Sequence, residues 1–491
     1  MGKLGITDFV LYRKRYVLGF ASIAILLVSI LGAILFFSPN GISTDEMNSV
    51  VASTFTPPRA LIGMSPESIV HLPYKLFQKL SLAALDVNLV SIKLPSMLMA
   101  IGSVFALYGL LRLWFRRNVA IISTIITVVT GQFLFHAQLG TPAIGYIFWN
   151  AAILYSVSML ARTEKYKPYW LLVATIFAAL SLYSPLEVYV VIALLATCII
   201  HPHARFIVLK TSNKLLIASG IIFTIIVTPL IIALITQPSL TWSLLGAPTS
   251  FDIFNLEIIK QQLLQYAGFS TPKNGTHVTP AYGLGIILMS LLGLYRLFTT
   301  KYTAKSYIIT IWLCLLVPAL LINPDAFNVT FIPVMILVAH GVDYLIRSWY
   351  RLFPNNPYAR IFGLVPLSVL VIGLTYSGVE RFVYSYHYDP EASSVFRQDL
   401  QLLDKAITKS AGKHITLVVP SDQQKFYTVY SDRKSISPRL EVTNTLPAKE
   451  VDIMIVERDA VKVQPKNPSE ILVSAVSRDA DRFYLYKKQS K

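Results

Sequence analysis

The chain has 491 residues, of which 54% are hydrophobic and only 14% charged. Soluble domains carry about 25% charged residues, so a deficit this large excludes a chain solvated by water alone and points to lipid. The formal net charge of +17 does not argue for nucleic acid, because Lys and Arg sit mainly between apolar runs, where they act as topology anchors.

A helical crossing needs roughly 20 apolar residues. Such runs are read at 16–37, 92–115, 118–135, 142–161, 168–184, 185–201, 214–236, 281–298, 306–322, 326–347 and 359–379. The first has about 22 residues and no small-residue cleavage site after it, so a retained helix is expected rather than a signal peptide. Cys198 and Cys314 both fall inside apolar runs, which leaves no disulfide framework and no Cys metal site.

Basic residues recur at every second connection. Arg13, Lys14 and Arg15 precede the first run; Arg116 and Arg117, then Arg162 and Lys165, Arg205 and Lys210, Arg296 and Lys301, and Arg347 and Arg351 follow the even-numbered runs. The turns at 136–141, 183–187 and 323–328 carry no Lys or Arg. This alternation predicts an N-terminus in the cytoplasm and, with an odd number of spans, a C-terminus outside, as for a multi-pass protein of the cell membrane. Two outer loops, 38–91 and 237–280, are long. Each holds a segment of helical periodicity, 66–82 and 253–269, which suits either a helix lying at the membrane interface or a cap on the bundle. Two glycosylation sequons, 274–276 and 328–330, are weak matches.

Past Tyr388 the pattern changes. An amphipathic helix is predicted over 390–411 and a second helix over 421–430. Strands are predicted at 414–419, 451–456 and 482–487, where β-branched or alternating residues are bounded by polar ones. The expected architecture is a polytopic α-helical membrane protein with about eleven spans over 1–388, and a small soluble α/β domain over 389–491.

Ionisable groups at the outer mouth of such a bundle are functional candidates. Asp45 and Glu46 lie in the first outer loop. In an extended segment only one of two neighbours enters a site, and a carboxylate there can take the proton of an acceptor hydroxyl; a solvated loop acid or an acid at a helix N-terminus is the competing reading. His71-Leu72-Pro73-Tyr74-Lys75 offers a Pro to start a helix and two bases for a phosphate, or for lipid headgroups. Glu187 sits at an outer turn and needs a partner if it is buried. His136, Gln138, His277 and Asp325 are further outer polar groups, each as readily structural. His340, within the tenth run, reads as a neutral His bonded to a neighbouring helix.

In this order the segments resemble the GT-C superfamily of polytopic glycosyltransferases, closest to its protein mannosyltransferase and aminoarabinose transferase branch. The resemblance rests on Asp45-Glu46, on His71-Leu72-Pro73-Tyr74, on Lys93-Leu94-Pro95-Ser96 and on Ile322-Asn323-Pro324-Asp325-Ala326-Phe327, and covers roughly residues 10–380. It implies an inverting transferase that passes a sugar from a polyprenyl-phosphate donor to a glycan, lipid or protein acceptor on the outer face. Asp45 would be the general base, and His71, Lys75 and Lys93 candidates for the donor phosphate. Relatives often carry a second acid after the third span, where this chain has Gln138-Leu139-Gly140-Thr141-Pro142-Ala143. That departure leaves divalent metal use open, with no metal ligand assigned, and admits a non-catalytic relative; Glu187 is a candidate substitute. A transporter or flippase is the other class, but the repeats and midplane charges of transporters are not found.

Overall fold

In a computed structural model of the protein, the described residues are 41–54, 66–247, 282–300, 303–388 and most of 396–487, with isolated positions in 21–32 and 257–266. The first expected span and the segment containing His277 lie largely outside them. The few described positions within the expected helix over 253–269 are helical.

The outer segment forms α1 (Thr44–Thr54) and α2 (Leu72–Leu85). The helices that follow are α3 (Leu89–Trp114), α4 (Arg117–Val128), α5 (Gly131–Gln138), α6 (Ile144–Arg162), α7 (Lys167–Ser181), α8 (Val188–Ile200), α9 (Pro202–Leu209) and α10 (Asn213–Thr236). After them come α11 (Leu284–Thr299), α12 (Ala304–Ile322), α13 (Phe331–Leu352) and α14 (Leu364–Tyr388). Among the described residues five helices are long and apolar enough to cross a membrane: α3, α6, α10, α12 and α13. Two bent pairs bring the number to seven, and α7 and α11 are apolar but shorter, so the expected eleven is not reached by these criteria.

Local chemistry accounts for the breaks. The run expected to cross straight over 118–135 is instead bent by 61° between α4 and α5. There the Thr130 hydroxyl and amide both donate to Thr127 O, at 2.6 and 3.2 Å, competing with the helical ladder. The run expected over 185–201 ends at Ile200 because Pro202 disfavours helix in the residue before it, and α9 leaves at 91°. Pro95 inside α3 cannot donate to Ser91 O; that carbonyl instead accepts the Ser81 hydroxyl of α2 at 2.7 Å.

Helices α11 and α13 pack through reciprocal glycines. A Cβ on Gly293 would lie 1.8 Å from Leu337 O, and one on Gly341 2.4 Å from Met289 O. Small residues permit such close backbone approach in membranes. Gly293→Ala must therefore push the helices apart, at about 1–3 kcal/mol for overpacking. The thermal midpoint of the detergent-solubilised protein should fall; an unchanged midpoint would show that the helices do not cross this closely. His340 in α13 does not bond to a neighbouring helix as expected. Its Nε2 has no hydrogen-bond partner among the described residues, and its ring instead packs edge-on against Phe115 at 4.7 Å.

Beyond α14, α15 (Asp399–Lys409) and α16 (Gln424–Arg433) flank a five-stranded sheet. Its strands are β1 (Ile415–Val418), β2 (Leu440–Thr443), β3 (Ile453–Glu457), β4 (Glu470–Val473) and β5 (Asp481–Lys487), in the order β2-β1-β3-β5-β4. β1 pairs in parallel with β2 and β3, while β5 runs antiparallel to β3 and β4. β2 and β4 were not expected from the sequence. Inside this unit Asp399 takes two bonds from Arg482, at 2.5 and 3.0 Å, and Glu457 also contacts that guanidinium. The apolar core does not stop at the sheet. Phe426, Tyr427 and Tyr430 of α16 share it with Met47 and Val50 of α1, and with Leu82 and Ile92.

Candidate active site

Helix α1 opens with a capping box. Ser43 Oγ accepts the Glu46 N–H at 3.2 Å, and Glu46 Oε2 accepts the Ser43 N–H at 2.8 Å. Asp45 and Glu46 are thus helical, not extended as expected, and leave the axis about 100° apart. Asp45 is exposed and lines a cavity of about 410 Å³. Glu46 points into the protein and is fully buried.

The Glu46 carboxylate is occupied by structure. Besides Ser43 it accepts the Gly140 N–H at 2.7 Å, and Lys93 Nζ stands 3.9 Å away. It therefore fastens the first outer segment to the turn at Gly140. No side chain fits at Gly140, where a Cβ would meet Ile92 Cγ2 at 2.5 Å and Ile92 O at 2.8 Å. Among the described residues Asp45 is the sole carboxylate in the cavity wall.

His71 separates a short turn of helix from α2. Its φ of 57° is left-handed, a costly conformation for a residue with a Cβ. It is held there by the surroundings: its N–H donates to Tyr183 O at 2.8 Å, and Nδ1 lies 3.0 Å from Ser184 Oγ. When the Ser184 hydroxyl donates to Nδ1, the proton of the neutral ring is left on Nε2. Burial, reinforced by the charge of Lys75, pushes the His71 pKa down to about 3, so the ring is neutral at physiological pH. Lys75, one turn on, also lines the cavity and donates to Ser68 O at 3.3 Å. Partial burial at the wall raises the Asp45 pKa above the ordinary carboxylate range.

Across the cavity lie His136 of α5 and Asn328. The Asn328 Oδ1 meets His136 Nε2 at 2.8 Å and accepts from Gln132 Nε2 at 3.1 Å. Tyr146 and Phe396 complete the wall, the former edge-on to His71 at 5.8 Å.

The structure thus brings Asp45, His71, Lys75 and His136 onto one cavity. It leaves the other candidates outside the wall. Tyr74 is buried, its hydroxyl 2.7 Å from Ser96 Oγ. Lys93 is buried beside Glu46 and donates to Gly41 O at 3.2 Å. Gln138 is buried behind the lining residues. Glu187 is buried outside that wall, with Asn150 Nδ2 donating to it at 3.0 Å. Asp325 falls in a short 3-10 helix, and its side chain lies outside the described residues. Asn328, Tyr146 and Phe396 were missed; Asn328 appeared in the sequence only as a sequon, whereas it is in fact buried. Among the described residues no group of three His, Cys, Asp or Glu is placed to hold a metal ion.

Helices long and apolar enough to cross a membrane several times, with a small sheet domain, make up the GT-C fold of a multi-pass membrane protein, as comparison with solved structures shows. Residues 72–232 match the sequence profile of the dolichyl-phosphate-mannose-protein mannosyltransferase family. Among solved structures, ArnT from Cupriavidus metallidurans in the apo state aligns over 96% of this chain and 97% of its own, with a TM-score of 0.54 and 10% identity. The same protein bound to undecaprenyl phosphate aligns over 97% and 99%, with a TM-score of 0.53 and 9% identity. The Archaeoglobus fulgidus oligosaccharyltransferase tethered to an acceptor peptide aligns over 88% of this chain and 64% of its own, with a TM-score of 0.51 and 11% identity. A search of curated protein sequences gave no significant match.

Proposed function

We propose that the protein is an inverting membrane glycosyltransferase that takes a sugar from a polyprenyl-phosphate donor and passes it to an acceptor on the extracytoplasmic face of the cell membrane. The observation that carries this reading is the meeting of Asp45 with His71 and Lys75 on one cavity, within a fold shared with a protein whose structure holds undecaprenyl phosphate. In this reading eleven spans over 1–388 carry the cavity, with the N-terminus cytoplasmic, and residues 389–491 form the extracytoplasmic domain.

The roles follow from charge and position. Asp45 is an acceptor-only carboxylate that takes the proton of the acceptor hydroxyl as its oxygen attacks the anomeric carbon. The bond from that carbon to the phosphate oxygen breaks as the new one forms, which inverts the centre and releases polyprenyl phosphate. Lys75 supplies a positive charge for the departing phosphate, and neutral His71 supplies a hydrogen-bond donor from Nε2. His136 holds Asn328 at the opposite wall, where its amide meets sugar hydroxyls. Tyr74, Lys93, Gln138 and Glu187 support this wall from behind. If a divalent ion accompanies the donor phosphate, Asp45 is the carboxylate of the described wall that could hold it, and the ion would supply charge for the departing phosphate.

Full-length protein in bilayers, given a panel of polyprenyl-phosphate sugars and candidate acceptors, should release polyprenyl phosphate and form one anomer opposite to the donor's. Retention of configuration, or substrate flux across the bilayer with no chemical change, would overturn the proposal.

A further inference from the structure

A second cavity lies at the opposite end of α6 from the first. Ala143 and Tyr146, at its beginning, line the candidate active site, whereas Val157 to Arg162, at its end, line this one. At 1.5 Å per residue the midpoints of the two stretches are roughly 23 Å apart along the helix, most of the ~30 Å thickness of a bilayer core. The volume is about 230 Å³, and the ends of α3, α8, α9 and α12 form the remaining walls.

Its lining is divided. Leu113, Val157, Leu160, Leu194, Ile207 and Ile308 make a nearly continuous apolar surface. The polar groups Trp114 Nε1 and Ser158 Oγ satisfy each other at 2.9 Å. Around this surface stand three basic side chains, Arg162, His203 and Lys305, and among the described residues the wall contains no acid. The nearby acids are Glu164, paired with Lys210 at 2.6 Å, and Asp343, paired with Arg347 at 2.8 Å and also acting electrostatically on Lys305. Lys305 Nζ donates to Trp114 O at 3.3 Å and stands 4.8 Å from the centre of the Phe115 ring. The lip is a helix set across the bundle. After the 91° bend, α9 turns Phe206 and Leu209 outward, 60% and 73% exposed, beside Ile199 of α8 at 73%. Apolar side chains this exposed at the end of a span belong in the acyl boundary, the position of a helix lying in the membrane interface.

An apolar slot opening beside an interfacial helix, with an excess of positive over negative charge at its rim, suits a lipid with an anionic headgroup. We propose that this cavity binds one anionic phospholipid, its acyl chain in the slot and its phosphate among Arg162, His203 and Lys305. A free phosphate would use only the rim, and a neutral lipid would use only the slot. The inference is independent of the transfer reaction assigned to the other end of the bundle.

Delipidated full-length protein, titrated with phosphatidylglycerol and phosphatidylcholine of equal chain length and followed by native mass spectrometry, tests it. Phosphatidylglycerol should bind at least tenfold more tightly. Arg162→Ala combined with Lys305→Ala should bring the ratio close to one. Ala161→Trp, which fills the slot and leaves the charges, should remove the bound lipid while the protein keeps its elution profile. Glycerol phosphate, with the charge and no chain, should not compete at lipid-equivalent concentrations. Equal binding of the two lipids, a preference that survives the double substitution, or full competition by glycerol phosphate would each overturn the proposal.

Discussion

Asp45→Asn is expected to lower the rate of sugar transfer by about 10²–10⁴, the usual contribution of a positioned general base. Asparagine has the same shape but no site to receive the acceptor's proton. The capping box that starts α1 uses Ser43 and Glu46, not Asp45, so the variant should keep the parent's thermal midpoint and its affinity for donor. The pH profile gives an independent check. Burial holds the Asp45 pKa above the ordinary value of 3.8, and the base acts only when ionised. Transfer should therefore be fully developed above that raised pKa and fall as pH drops through it. The acid limb should vanish from the residual activity of the variant. A parent rate in Asp45→Asn, or an acid limb that persists in it, would remove Asp45 from the role of base.

Glu46→Ala should act differently, through the fold. Its carboxylate accepts two backbone N–H groups, from Ser43 and Gly140, and stands beside the buried Lys93. Removing it leaves Lys93 without its counter-charge, and breaking a buried pair in this one-sided way costs about 3–5 kcal/mol. Two buried donors lose their acceptor in addition. Thermal melting of purified protein should show a large fall in midpoint. Lys93→Met in the same background should restore part of it by removing the stranded charge. Should Glu46→Ala melt like the parent yet lose transfer, Glu46 would belong to the chemistry and not to the clamp.

The adjacent acids also show where sequence reading runs out. That one of the pair enters a site was legible, because neighbours on either a strand or a helix diverge. The conformation was open between an extended segment and a helix N-terminus, and the capping box formed by Ser43 and Glu46 decides for the helix. Lys93 illustrates a second limit. Its place in a phosphate-associated segment says nothing of the direction it takes from α3, and packing turns it to Gly41 and Glu46. Asn328 was hidden for the same reason: its neighbours Gln132 and His136 lie almost 200 residues away in sequence, and only tertiary structure joins them. In the C-terminal unit, β1 was visible because every residue in it is buried and apolar or β-branched. The edge strands β2 and β4 bury fewer residues and read as polar connections. Most of the crossing helices were legible from length and apolar content alone; the bend at Thr130 depends on one hydroxyl choosing a backbone carbonyl.

The shared core of α1 and α16 bears on when this protein becomes competent. Met47 and Val50 emerge among the first tenth of the chain, while Phe426 and Tyr427, which cover them, are made near its end. A contact between such distant segments forms late, because the closing of a long loop precedes any gain from it. Until α16 is made, the helix that presents Asp45 has only the earlier part of that core beside it, Leu82 and Ile92 included. In the proposed topology its apolar cover is completed only after the last domain has crossed the membrane and folded back on the first loop. Biogenesis then acts as a timer: an unfinished chain holds the spans while the helix bearing the proposed base still lacks its outer cover.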